Sequence, residues 1–214
     1  MSAARGDHAA GRALMALPDA ISCTLFMLAW IAPGVLGAVW VKNLMITMLL
    51  EFLTVHSGGF IGTTVANPEA SRSTKTKVVL GFGSFYLLFA GGFSLAFDAW
   101  WPILVFAWLL LAKLGMVWLS PVPTAQEQAR QATFTGLAIA AYVIGVFLTS
   151  LLPVPRFGID AAVVQAAAIP GSGLWVEEPH RVIAFGALYF GLMAWAKWSW
   201  HPGMGMPAVR PGSR

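Results

Sequence analysis

The chain has 214 residues, of which 58% are hydrophobic and only 10% charged, with a mean hydropathy of +0.73. Soluble domains carry about 25% charged residues, so this composition excludes an ordinary soluble domain and places the chain among integral membrane proteins. The net charge of +4 does not point to nucleic acid, because the basic residues lie in loops and tails, where they orient spans, and no basic stripe with stacking aromatics marks one face.

Residues 1–17, with Arg5, His8 and Arg12, read as a cytoplasmic tail with room for a short surface helix. Pro18 and Asp19 read as the start of the first span, since proline fits the first helical turn and an acid suits the positive end of the dipole. The apolar run from Ala20 to Val41 contains Pro33-Gly34. A span needs about 20 residues, so the first either ends near Pro33 or kinks there and continues to Trp40, with Lys42-Asn43 as the turn. The second span covers 44–66 and is closed by Asn67-Pro68; the loop 67–77 is basic. The third covers 78–96, rich in Gly and Phe, and Asp98 to Pro102 form a tight turn. The fourth covers 101–119 and contains Lys113. A polar loop, 120–132, leads to the fifth, 133–152.

The longest connection, 153–178, holds a short surface helix over 159–168 and a loop at Pro170 to Gly173. Glu177-Glu178-Pro179 reads as a helix start, and the sixth span covers 180–199. The tail 201–214, rich in Pro and Gly, reads as disordered. The expected fold is therefore all-α: one polytopic helical bundle over 18–200 with six transmembrane helices. Arg5, Arg12, Arg72, Lys75, Lys77, Arg130, Lys197, Arg210 and Arg214 fall on one side, against Lys42, Arg156 and Arg181 on the other. The positive-inside rule puts both termini in the cytoplasm and the 153–178 loop outside. A bacterial inner membrane is the expected location, with the lipid bilayer, further copies of the chain or other membrane subunits as partners.

The second span carries the chemistry. Ionisable residues within spans are costly and mark function by default. At 100° per residue Thr47, Glu51, Thr54, Gly58 and Gly62 share a sector of about 80°, which either packs against a helix or lines a cavity. His56 lies about 140° round from Glu51, so the two share a site only if the helix breaks at Ser57-Gly58-Gly59. Lys113 is the basic residue deepest in the membrane. Its stem leans toward its helix N-terminus, and the expectation is that it reaches Glu51 as a buried pair or snorkels to the interface.

Small-residue faces on the third span (Gly81, Ser84, Leu88, Gly92), the fifth (Thr135, Ala138, Tyr142, Gly145, Thr149) and the sixth (Gly186, Tyr189, Met193, Lys197) read as packing seams, although Tyr142 and Tyr189 also suit hydrogen bonding to a solute. Tryptophans near span ends fit interfacial belts. No P-loop, dinucleotide fingerprint, zinc spacing or nucleophile elbow is present, no cofactor or metal is expected, and no internal repeat is visible. The lone Cys23 reads as a buried thiol.

These features point to a small channel or transporter for ions, protons or a small solute, with Glu51, His56, Lys113, Thr54, Ser57 and Tyr142 along the pathway. The alternatives are a non-catalytic subunit of a larger membrane complex and an intramembrane enzyme using Glu51 and His56 on lipid or quinone. A watery cavity at Glu51 favours transport, a closed bundle with a broad apolar flank favours a subunit, and a lateral opening beside His56 favours an enzyme.

Overall fold

The computed structural model describes the backbone of residues 2–119 and 123–200 and the side chains among these from residue 9 onward. The expected C-terminal tail, 201–214, lies outside the described residues, as do residues 120–122 of the fourth connection. All regular structure among the described residues is helical, and six helices are long and apolar enough to cross a membrane. In chain order the helices are α1 (Ser2–Ile31), α2 (Pro33–Leu36), α3 (Val39–Ala66), α4 (Arg72–Ala96), α5 (Trp101–Leu119), α6 (Ala125–Leu151), α7 (Ala161–Ala167), α8 (Leu174–Glu177) and α9 (Pro179–Ser199).

Several boundaries differ from the expected ones for local reasons. Pro18 does not start a helix; it sits inside α1. An interior proline removes one hydrogen bond without ending a helix that neighbours hold in place. The apolar stretch able to cross the membrane begins at Ala9, which places Asp19 well inside it. The first span ends at Ile31, so the break falls at Pro33 and the run to Trp40 is not one helix. The turn before α3 lies at Gly37, whose φ of +89° suits glycine alone, and Lys42-Asn43 is the second turn of α3 instead. Ser71 caps α4, its Oγ accepting from the Thr74 amide at 3.1 Å. Thr124 and Glu127 close a reciprocal capping box on α6. Both caps extend helices into stretches that read as polar loops.

The helix α3 is the axis of the bundle. It packs against α4 and α5 on one flank and against α6 and α9 on the other. The most extensive interface is α1 with α9. The pairs Phe26–Gly186, Cys23–Ala187 and Asp19–Lys197 run in opposite directions along the two chains, so these helices are antiparallel. The main core is built by α1, α3, α6 and α9 around Phe26, Met45, Met48 and Phe185, all essentially inaccessible. Two smaller clusters, Leu50–Leu53–Tyr86–Ala90–Phe106 and Ile61–Val79–Val117, hold the α4–α5 hairpin to α3.

Close backbone approach explains three glycines. A Cβ at Gly186 would meet the Phe26 ring at 2.2 Å, one at Gly145 the Phe185 ring at 2.5 Å, and one at Gly83 the Leu110 side chain at 2.1 Å. The expected seams on the fifth and sixth spans are therefore real: Ala138, Tyr142, Thr149, Tyr189 and Met193 are buried beside them. The third-span seam falls on the other face. Gly81, Ser84, Leu88 and Gly92 point outward, while Val79, Gly83, Tyr86, Ala90 and Ser94 point inward. Both faces of α4 carry small residues, so spacing alone does not choose between them.

The 153–178 connection folds onto the end of this bundle. The Gly158 amide donates to Trp30 O at 3.0 Å, the Trp30 indole donates to Pro155 O at 2.8 Å, and Ile159 is fully buried. Arg181 donates to Thr149 O and Leu152 O, both at 2.9 Å, which satisfies carbonyls at the end of α6. Its guanidinium also contacts Glu178, and Glu178 reaches Arg156 at 3.3 Å.

Candidate functional site

Glu51 sits midway along α3 on the flank facing α6 and α9. Tyr189, 3% exposed, donates to Glu51 Oε1 at 2.6 Å. Tyr142 donates to the Met48 carbonyl at 2.8 Å, one turn earlier on α3. The two phenol rings meet edge to face with centroids 5.8 Å apart. Three helices thus supply one polar knot: an acid from α3, one tyrosine from α6 and one from α9. Each polar group in it has a partner, as a low-dielectric setting demands.

A second polar pair lies further along α9. Lys197 Nζ lies 2.5 Å from Asp19 Oδ2 across the α1–α9 interface. Asp19 is buried. By sequence Asp19 reads as a helix start and Lys197 as part of a packing seam. The available signal was the apolar run from Ala9 to Ile31, which includes Asp19 once Pro18 is allowed inside the helix.

The other expected site residues separate into two further places. Lys113 does not pair with Glu51: no ion pair joins them, and Lys113 instead borders a cavity of about 20 Å³ with Thr54, Ser57, Ile61 and Phe106. The reason is angular. Thr54 and Ser57 lie about 60° and 120° round α3 from Glu51, so they turn toward α5 while Glu51 turns toward α9. That cavity has room for about one water molecule. Ser57 is buried and donates to the Thr54 carbonyl at 3.2 Å. Gly58 and Gly62 have open space where a side chain would sit, so they are not a packing seam, and Gly59 meets Ile139 of α6.

His56 faces a third direction. The helix α3 is unbroken from Val39 to Ala66, so nothing rotates His56 toward Glu51. Its Nδ1 lies 2.7 Å from the Tyr86 hydroxyl of α4. The two groups hold different partners on opposite flanks, and a shared acid–base centre, which requires both within reach of one substrate atom, does not form. Among the described residues no cluster of His, Cys, Asp and Glu has the arrangement of a metal site.

Comparison with known protein families, characterised proteins and solved structures finds no match. What this chain does rests on its own residues.

Proposed function

We propose that the protein is a proton-linked transport protein of a bacterial cytoplasmic membrane, inserted with both termini inside and with Glu51 as the group that takes up and releases the proton. The observation that carries this reading is the knot itself. A carboxyl group midway along α3 is bonded to Tyr189 at 2.6 Å, and about two turns further along α9 from Tyr189, Lys197 pairs with Asp19 at 2.5 Å. Chains of acids and hydroxyls within spans are the usual material of proton relays. Lys197 lies in the last turn of α9, so the pair leads from one end of the bundle toward Glu51. Orientation follows from the excess of Lys and Arg on the side of the termini.

The test is proton flux in proteoliposomes loaded with a pH-sensitive dye. Under an imposed potential the wild type is expected to move protons, and Glu51→Gln to move about tenfold fewer or less, since a proton carrier is lost while shape and hydrogen bonding are kept. Equal flux in the two would remove Glu51 from any pathway.

One observation favours a second reading, a subunit of a larger membrane assembly. The cavity at Lys113 is small and the larger groove lies on the outer face of α4; neither is lined by Glu51. The α4–α5 hairpin also carries wide apolar surfaces, with Leu88 and Leu95 each 75% exposed. A subunit would show no flux alone and a stable larger mass in mild detergent.

A further inference from the structure

We infer that the lipid-facing side of α3 and α4 around His56 binds a membrane-dissolved molecule with a planar, carbonyl-bearing ring, of the quinone class, whose carbonyl oxygen accepts a hydrogen bond from His56 Nε2. The inference does not depend on proton transport by Glu51, which lies on the opposite flank of α3.

The hydrogen-bond pattern turns Nδ1 of the imidazole inward to Tyr86 and leaves the Nε2 edge free for a ligand. Tyr86 is 4% exposed, and the only hydrogen bond of its hydroxyl among the described residues is to His56 Nδ1. A buried O–H needs an acceptor, and Nδ1 is the one in reach, so the phenol is taken as donor and Nδ1 as acceptor. A neutral imidazole carries one N–H, so it resides on Nε2, on the edge turned away from the bundle. His56 is exposed on the outer surface. An unpaired N–H in hydrocarbon is costly, because no water is there to accept from it.

Depth identifies the acceptor. The 28 residues of α3 span about 42 Å, which places His56 about 5 Å from the helix midpoint. The hydrocarbon core is about 30 Å thick. Even if α3 is shifted by its whole excess on one side, His56 stays about 11 Å or less from the bilayer centre. Phospholipid ester carbonyls lie at the boundary, about 15 Å out. The acceptor must therefore be a polar group that dissolves in the core itself, as a quinone ring does.

The walls suit a flat ring. Phe52 stacks on the imidazole with centroids 5.3 Å apart and planes 12° apart, and Phe60 meets it edge-on at 5.2 Å. Phe60 in turn stacks on Phe82 of α4 at 5.7 Å and 8°. Phe82 also lines an open groove of about 450 Å³ with Gly81, Phe85 and Lys77. The ring would lie against these aromatics with its carbonyl at His56, and the hydrocarbon tail would follow the groove.

The test uses the full chain in nanodiscs with decyl-1,4-benzoquinone, and decylbenzene as the carbonyl-free control. Saturable retention of the benzoquinone and a matching rise in unfolding temperature are expected for the wild type. His56→Phe, which keeps a flat ring but no donor, should weaken binding about tenfold, and His56→Gln should restore part of it. Glu51→Gln should bind as the wild type does. If His56→Phe does not fold, Gly81→Leu serves, since open space lies where its side chain would go; it should fill the groove and weaken retention. Equal binding by wild type and His56→Phe, or by Gly81→Leu where that variant serves, overturns the inference. So does equal retention of decylbenzene, or a dimer seen by native mass spectrometry that His56→Phe abolishes, since a second copy would then supply the acceptor.

Discussion

Asp19 and Lys197 hold each other at 2.5 Å with 12% and 26% of their side-chain surfaces exposed. Removing one member of such a pair strands the other charge, which costs about 3–5 kcal/mol in buried pairs. Asp19→Asn and Lys197→Met are each expected to destabilise strongly. The double variant should recover more than about 1 kcal/mol relative to the sum, measured by a double-mutant cycle of unfolding in mild detergent. Additive losses would mean that the two side chains do not interact in the membrane. Glu51 and His56 are each tied by one phenol, on α9 and α4, on the flank that their place on α3 already turns them toward.

The helices are joined where backbones come close. A methyl at Gly186 would collide with the Phe26 ring, which is fully buried and has nowhere to turn. Gly186→Ala is expected to lose about 1–3 kcal/mol through overpacking at the α1–α9 interface. Gly62→Ala makes the opposite prediction: nothing lies within 4 Å of the new methyl, so the gain is about 0.4–1 kcal/mol from reduced chain entropy. Unfolding temperatures of the two variants should move in opposite directions, and a shift of the same sign in both would contradict the packing described. The outward-facing glycines of α4 carry no such constraint, which is why composition alone misplaces that helix's inner face.

Across the whole molecule, the 153–178 connection acts as a clasp on the α6–α9 end of the bundle. The hydrogen bond from Arg181, with further attraction from Arg156, holds the Glu178 carboxyl below the usual carboxylate range. A carboxylate with a depressed value stabilises the fold above its unfolded value of about 4.3 and stops doing so as pH falls through its own lower value. Glu178→Gln should therefore unfold at a lower temperature than the wild type at pH 7, and the gap should close on acidification below pH 4. A gap independent of pH would show that the charge on Glu178 contributes nothing to the clasp.

The all-helical fold, its six helices long and apolar enough to cross a membrane and most of their limits were legible in the chain itself, because a long apolar run satisfies its own backbone most simply as a helix. The fourth and sixth spans, α5 and α9, follow the hydropathy almost residue for residue. Glu51, His56 and Lys113 stood out for the same reason: charge and hydrogen-bonding capacity are local properties. Their partners are not local. Tyr189 lies 138 residues from Glu51, and Lys197 lies 178 from Asp19. Only the packing of α3 and α5 among their neighbours decided that acid, lysine and histidine face three different ways, since helix rotation is set by which neighbours fill which flank.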